Sequence, residues 1–252
     1  MKIAGIVNGT TNFILTKMRD EGLSYEDALK QAQANGYAEQ NPTADVEGID
    51  AQRKLSILSS IALGGKYVAP DVIHTEGISG LTLDDIKFAE SIGASVKLIA
   101  FFSHPEGGVP AAFVAPHVVA KSSLIASVDG VFNAILVEGN ALGESMFYGQ
   151  GAGKLATASA VVADVLDAGL HAHKNAHITK WYIDDSKVTL DYEDVVVSIL
   201  VKGDANSVVA AFDSYETVKI SDNAVVVKNI AHKDIDSKIS AVAGASWLHY
   251  LA

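Results

Sequence analysis

No cysteine occurs in these 252 residues, which removes disulfides, thiolate metal sites and cysteine nucleophiles at once and fits a reducing compartment. Positive charge is scarce: 19 Lys and Arg face 30 Asp and Glu, a net charge of -11. With no basic stripe along the chain, such a surface repels phosphate backbones, so nucleic acid is not an expected partner. No run approaches the roughly 18 consecutive apolar residues of a transmembrane helix, and the N-terminus lacks the basic and apolar regions of a secretory signal. A cytoplasmic protein with no membrane partner is expected. What is present is a globular composition, 49% hydrophobic and only 19% charged. At roughly 150 residues per domain, the length suits one large domain or two modest ones.

Helices come first. Thr11 to Arg19 suits a short helix opened by Asn8-Gly9-Thr10 and closed by Gly22. Ser24 with Asp27 three residues on resembles a capping box, and Ala28, Leu29 and Ala32 line one face of the helix that follows, up to Gly36. The polar stretch from Tyr37 to Asp45, containing Pro42, is a loop delivering a third helix from Val46 to Leu63, stopped by Gly64-Gly65. Thr82 caps another helix, to Ser91. Two β-rich segments, from Ser95 and from Pro110, flank the turn at Pro105-Glu-Gly-Gly, and Gly130 to Phe147 holds two more short strands. The run Gly149-Gln-Gly-Ala-Gly153 leads into a helix over Ala156 to Ala168.

Beyond Gly169 the texture changes. A polar connector, His171-Ala-His-Lys-Asn-Ala-His177, precedes a strand at Val195 to Val201, a helix at Ser207 to Phe212 and a hairpin at Glu216 to Lys228. A helix at His232 to Val242 and a strand at Trp247 to Leu251 complete the series. That β-α-β-β-α-β order is the ferredoxin-like split pattern. The expected fold is α+β: a mixed sheet with flanking helices over 1–171, and a small ferredoxin-like unit over 172–252.

Three constellations carry chemistry. Glu39, Asp45, Asp50 and Lys54 form the densest polar cluster, with Asp50 and Lys54 at i and i+4 on one helix face. The plain alternative is a solvated ion pair; the functional one is a pocket for a zwitterion, where carboxylates take an ammonium and the lysine moves a proton. Val7-Asn-Gly-Thr-Thr-Asn12 opens a helix, where free N–H groups and the Thr10 hydroxyl serve either as a cap or as an anion receptor. The glycine run at 149–153 fails the P-loop test, because Tyr148 and Leu155 stand at its first glycine and Ser/Thr positions. It fails the dinucleotide fingerprint too, because Lys154 stands at the third glycine. His171, His173 and His177 match no metal-ligand spacing, so no metal is expected.

Taken together, Gly5-Ile-Val-Asn-Gly-Thr-Thr-Asn-Phe-Ile-Leu15, the segment from Gly36-Tyr-Ala-Glu to Gln-Arg-Lys-Leu55, and Tyr148-Gly-Gln-Gly-Ala-Gly153 closely resemble homoserine dehydrogenase over residues 2 to about 170. The resemblance implies a substrate-binding and dimerisation domain whose nucleotide-binding partner domain lies outside these residues. The implied activity is NAD- or NADP-dependent interconversion of homoserine and aspartate 4-semialdehyde in threonine and methionine biosynthesis, by a homodimer or tetramer. It also implies that Lys54 exchanges a proton with the substrate oxygen and that Asp50 holds the hydroxyl or aldehyde end. By the same match Glu39 takes the ammonium with support from Asp45, Thr10 and the Gly9 backbone face the substrate, and Tyr37 lines the pocket. Gly149, Gly151 and Gly153 would approach the nicotinamide half of the cofactor. Gln150 stands where the family pattern has proline, and the tail occupies the place of a regulatory ACT domain, so it is expected to be ACT-like. The rival is a non-catalytic oligomerisation and amino-acid-sensing module that keeps the pocket.

Overall fold

The computed structural model describes residues 1–172, 180–184 and 188–252; the connector histidines His173 and His177 lie outside them. Strand β1 (Lys2–Ile6) runs into α1 (Gly9–Glu21), followed by α2 (Tyr25–Ala34), α3 (Thr43–Val46) and α4 (Ile49–Ala62). Then come β2 (His74–Thr75), α5 (Leu83–Ser91), β3 (Ala94–Ser103), β4 (Ala111–Ala120), β5 (Phe132–Gly139), β6 (Gly143–Gln150) and α6 (Lys154–His171). The tail supplies β7 (Val196–Lys202), α7 (Ala205–Ala211), β8 (Glu216–Ser221), β9 (Ala224–Ala231), α8 (His232–Ile239) and β10 (Ser246–Leu251).

Among the described residues all the strands join one sheet, ordered β6-β5-β1-β3-β4-β10-β7-β9-β8, with β2 pairing β4. The tail's own strands stand in the order β10-β7-β9-β8, which is the ferredoxin-like arrangement expected of its β-α-β-β-α-β sequence. Its junction with the first unit is short: β10 runs parallel to β4 through His249–His117, Tyr250–Val118 and Leu251–Val119. The division at 172 therefore separates two runs of sequence but not two sheets.

Local chemistry accounts for most element boundaries. Asn8 caps α1 by accepting from Thr11 N, and Gly22 closes it with φ 66°. Ser24 caps α2, and Thr82 with Asp85 forms a complete capping box on α5. Periodicity predicts one helix from 46 to 63, but the structure breaks it at Gly48, whose φ is 78°. A Cβ there would stand 2.9 Å from Thr75 Cγ2, so the break also brings the start of α4 hard against β2. Strand β1 was not expected; buried from Ile3 onward, it lacks the alternation that marks a half-exposed strand.

The main core lies between the sheet and α1, α2, α4 and α5, with Ile14, Met18, Leu55, Ile86 and Phe102 fully sequestered. A second core joins α7 and α8 to the sheet around Phe113, Ile199, Val208 and Phe212. Among the described residues one cation is sealed in the interior: the Lys97 side chain on β3 is only 1% exposed. Its Nζ donates to Val128 O (2.6 Å), Asp129 Oδ1 (2.8 Å) and Asn12 Oδ1 (3.2 Å), while Arg19 Nη1 reaches the same Asp129 oxygen at 2.9 Å. Burial pushes the Lys97 ammonium below its ordinary range, and Asp129 pulls against that. Burial alone would raise the Asp129 carboxyl, yet its bonds to Arg19 and Lys97 hold it below the usual range.

Removing one partner of such a pair leaves an uncompensated buried charge. Asp129→Ala is expected to cost about 3 kcal/mol of unfolding free energy in urea titrations. A loss under about 1 kcal/mol would mean that the Val128 and Asn12 oxygens satisfy Lys97 by themselves.

Candidate active site

The site assembles where β1 ends, α1 begins and α4 passes behind them. A cleft of about 610 Å3 is lined by residues that include Asn8, Gly9, Thr10, Tyr37, Asp45, Asp50, Lys54, Asn133, Gly151 and Gly153. Asp50 and Lys54 lie one turn apart on α4, as the i,i+4 spacing predicts, with Nζ 2.7 Å from Asp50 Oδ2. Lys54 Nζ also donates to Val7 O at 2.8 Å, so two of its three protons are committed and one remains for a ligand.

Asn8 organises the carboxylates. Its Nδ2 donates to Asp45 Oδ1 at 2.7 Å and to Asp50 Oδ2 at 2.9 Å, while its Oδ1 caps α1. Both protons of one amide thus hold two acids that come from different helices. The Thr10 hydroxyl donates to Tyr37 O at 2.6 Å, tying the helix start to the loop after α2, and the Tyr37 ring packs on Phe13 at 4.9 Å. Gly9 is required by closeness: a Cβ would meet Val131 O at 2.8 Å.

Of the expected site residues, Gly9, Thr10, Tyr37, Asp45, Asp50, Lys54, Gly151 and Gly153 share this cleft. Glu39 sits exposed on the loop and outside the cleft lining, with its backbone oxygen receiving the Gln33 amide at 3.0 Å. Gly149 lines an adjoining slot of about 430 Å3, walled by Ile57, Leu58, Ile135, Phe147 and Tyr148. Lys54, Asn133, Gln150 and Gly151 border both spaces.

Asn8 and Asn133 were not singled out from sequence. Asn8 lay inside a quoted motif, but its capping role masks its second function. Asn133 had no local signal at all. Its Oδ1 is buried without a partner among the described residues, and a Cβ on Gly151 would collide with its amide.

A mixed sheet bearing a polar Asn-Asp-Lys cleft beside an apolar, glycine-bordered slot is the build of a small-molecule-binding module, suited to a compact polar ligand next to a flatter apolar group. The chain belongs to the homoserine dehydrogenase family: residues 1–166 match the family model of that description. The homoserine dehydrogenases of Neisseria gonorrhoeae and Corynebacterium glutamicum are 48% identical over 165 residues and 49% identical over 170 residues. Each match covers 66% of this chain and 38% of the relative. The chain therefore spans less than two fifths of the length of these curated relatives. Among solved structures, a Thiobacillus denitrificans homoserine dehydrogenase superposes with a TM-score of 0.83 at 37% identity, over 99% of this chain and 63% of that one. A hyperthermophilic archaeal homoserine dehydrogenase mutant in complex with NADPH gives 0.55 at 33% identity, over 67% and 47%.

The Asn8 bridge makes a discriminating prediction. Aspartate caps a helix as well as asparagine does, yet at position 8 it would add a third carboxylate beside Asp45 and Asp50. Asn8→Asp is expected to lose about 2 kcal/mol in urea unfolding at neutral pH, at least as much as Asn8→Ala. Wild-type stability in Asn8→Asp would show that the amide serves only as a cap.

Proposed function

We propose that these residues form the substrate-binding half of a homoserine dehydrogenase, which interconverts L-homoserine and L-aspartate 4-semialdehyde with NAD or NADP. The observation that carries this is the position of Lys54, on the border shared by the polar cleft and the apolar slot. A proton donor is needed where the carbonyl oxygen of the polar substrate meets the hydride source, and Lys54 stands at that border.

The nicotinamide, when bound, supplies or takes the hydride. The slot fits such a group: its walls are apolar, nothing would obstruct even a Cβ at Gly149, and the orphaned Asn133 Oδ1 offers an acceptor to a ring carboxamide. Everything else falls to this chain. As charge grows on the aldehyde oxygen, the third proton of Lys54 stabilises it and is then transferred, giving the alcohol. Asp50 keeps the ammonium aimed and accepts from the product hydroxyl. Asp45 presents a carboxylate to the substrate ammonium within the cleft, whereas Glu39, exposed outside it, takes no part in this arrangement. The first turn of α1, with its unpaired N–H groups at Gly9 and Thr10, receives the substrate carboxylate.

Helix α6 supports a role within a larger enzyme. It is strongly apolar and buries none of its residues, with Leu155 and Leu170 exposed by 82% and 73%. We assign its cover to the nucleotide-binding part of the enzyme. A dimer or tetramer belongs to the same proposal, as does an amino-acid-sensing, ACT-like tail over 172–252.

Calorimetry with L-homoserine tests the pocket. The chain is expected to release binding heat, and Lys54→Ala and Asp50→Ala to weaken affinity at least about tenfold, or about 1.4 kcal/mol. No heat from the wild type, or equal affinity in both variants, overturns the assignment.

A further inference from the structure

Away from the cleft, imidazoles gather at the seam between the two units. His249 on β10 is 2% exposed and pairs in register with His117 on β4, the rings stacking at 4.9 Å. His232 opens α8, and Glu76 follows β2. One donor atom each from Glu76, His232 and His249 lies within 4.8 Å of the other two. Both ring nitrogens of His232 and Nδ1 of His249 are buried with no hydrogen-bond partner among the described residues. Glu193 Oε2 stands 3.8 Å from His232 Nδ1, which leaves His232 Nε2 and His249 Nδ1 as orphans beside the Glu76 carboxylate, and unpaired buried polar atoms are costly.

We propose that Glu76, His232 and His249 bind a divalent transition-metal ion of the zinc type, which staples the tail unit to the first. Two imidazoles and a carboxylate are a borderline donor set that suits zinc and disfavours calcium or magnesium. Bonds of about 2.1 Å to a tetrahedral ion place donors about 3.4 Å apart, so the three must close by little more than about 1 Å. The Glu76 side chain, 43% exposed, can supply that by rotation.

The surroundings are those of a supported site. His74 Nε2 lies 2.9 Å from Glu76 Oε1 and would orient the carboxylate from behind. The Tyr192 hydroxyl lies 2.8 Å from His249 Nε2 and 3.2 Å from Glu76 Oε1, so it would orient both groups from outside the ion, leaving the fourth position to water. Because Glu76 precedes residue 172 while His232 and His249 follow it, the ion would add to a junction already made by the β4–β10 pairing and by the core around Phe113.

The test is a titration of chelator-stripped protein with zinc, repeated with cobalt(II) to read the ligand field. The expected result is about one ion per chain, a tetrahedral cobalt spectrum, and a higher melting temperature with zinc than without. His232→Ala removes a ring only 15% exposed and should lower the metal-free melting temperature, so both it and Glu76→Gln are judged by loss of the zinc-induced rise over their own metal-free value. Each should weaken zinc binding by more than about 100-fold, since loss of an outer-sphere partner alone costs about 10–100-fold. Replacing His171, His173 and His177 together by alanine should leave binding intact. Absence of zinc binding in the wild type, or binding that survives His232→Ala and Glu76→Gln but vanishes with the connector histidines, overturns the proposal.

Discussion

The carboxamide of Asn8 sits where four parts of the molecule meet. Its oxygen caps α1, and its two amide protons hold Asp45 from α3 and Asp50 from α4. Asp50 in turn holds Lys54, and Lys54 returns to the carbonyl of Val7, the residue just before Asn8. The loop closes on itself, so the end of β1, the start of α1 and the face of α4 cannot move independently without breaking a charge-assisted bond. A neutral amide between two acids is also the least costly way to hold like charges close together, since it offers each a proton and adds no charge.

The sheet sets the scale over which that constraint acts. Strands β3 and β4 are buried on both faces, so they serve as a rigid partition with α1, α4 and α5 on one side and the tail helices on the other. Lys97, sealed within β3 and bonded to Asp129 and Asn12, pins α1 to the segment leading into β5, which carries Asn133. The position of the cleft thus depends on one polar cluster at its rim and a second beneath it.

Much of this was legible in the sequence, for physical reasons that differ by element. The capped helices α2 and α5 and the hairpin of β8 and β9 announce themselves through Ser24, Thr82 and the turn within Glu216 to Lys228, because caps and turns are local. The Asp50 and Lys54 pair is local too, one turn apart. The division of the third helix at Gly48 was not legible, since glycine within a helical pattern is tolerated and only the fold reveals the φ of 78° and the approach of Thr75. Strand β1 was missed because burial on both faces erases the period of two. Asn133, the Lys97 cluster and the imidazole seam had no local sign; His74, His117, His232 and His249 are spread over more than half the chain and meet only through sheet order.

The central claim is that Lys54, aimed by Asp50 and Val7 O, delivers a proton to the substrate oxygen at the border of cleft and slot. A crystal structure of the protein with L-homoserine tests this most directly. The account predicts the hydroxyl oxygen about 3 Å from Lys54 Nζ and the substrate ammonium on the Asp45 side. Homoserine bound with its ammonium against Asp50 and its hydroxyl remote from Lys54, or bound outside the cleft, would contradict it.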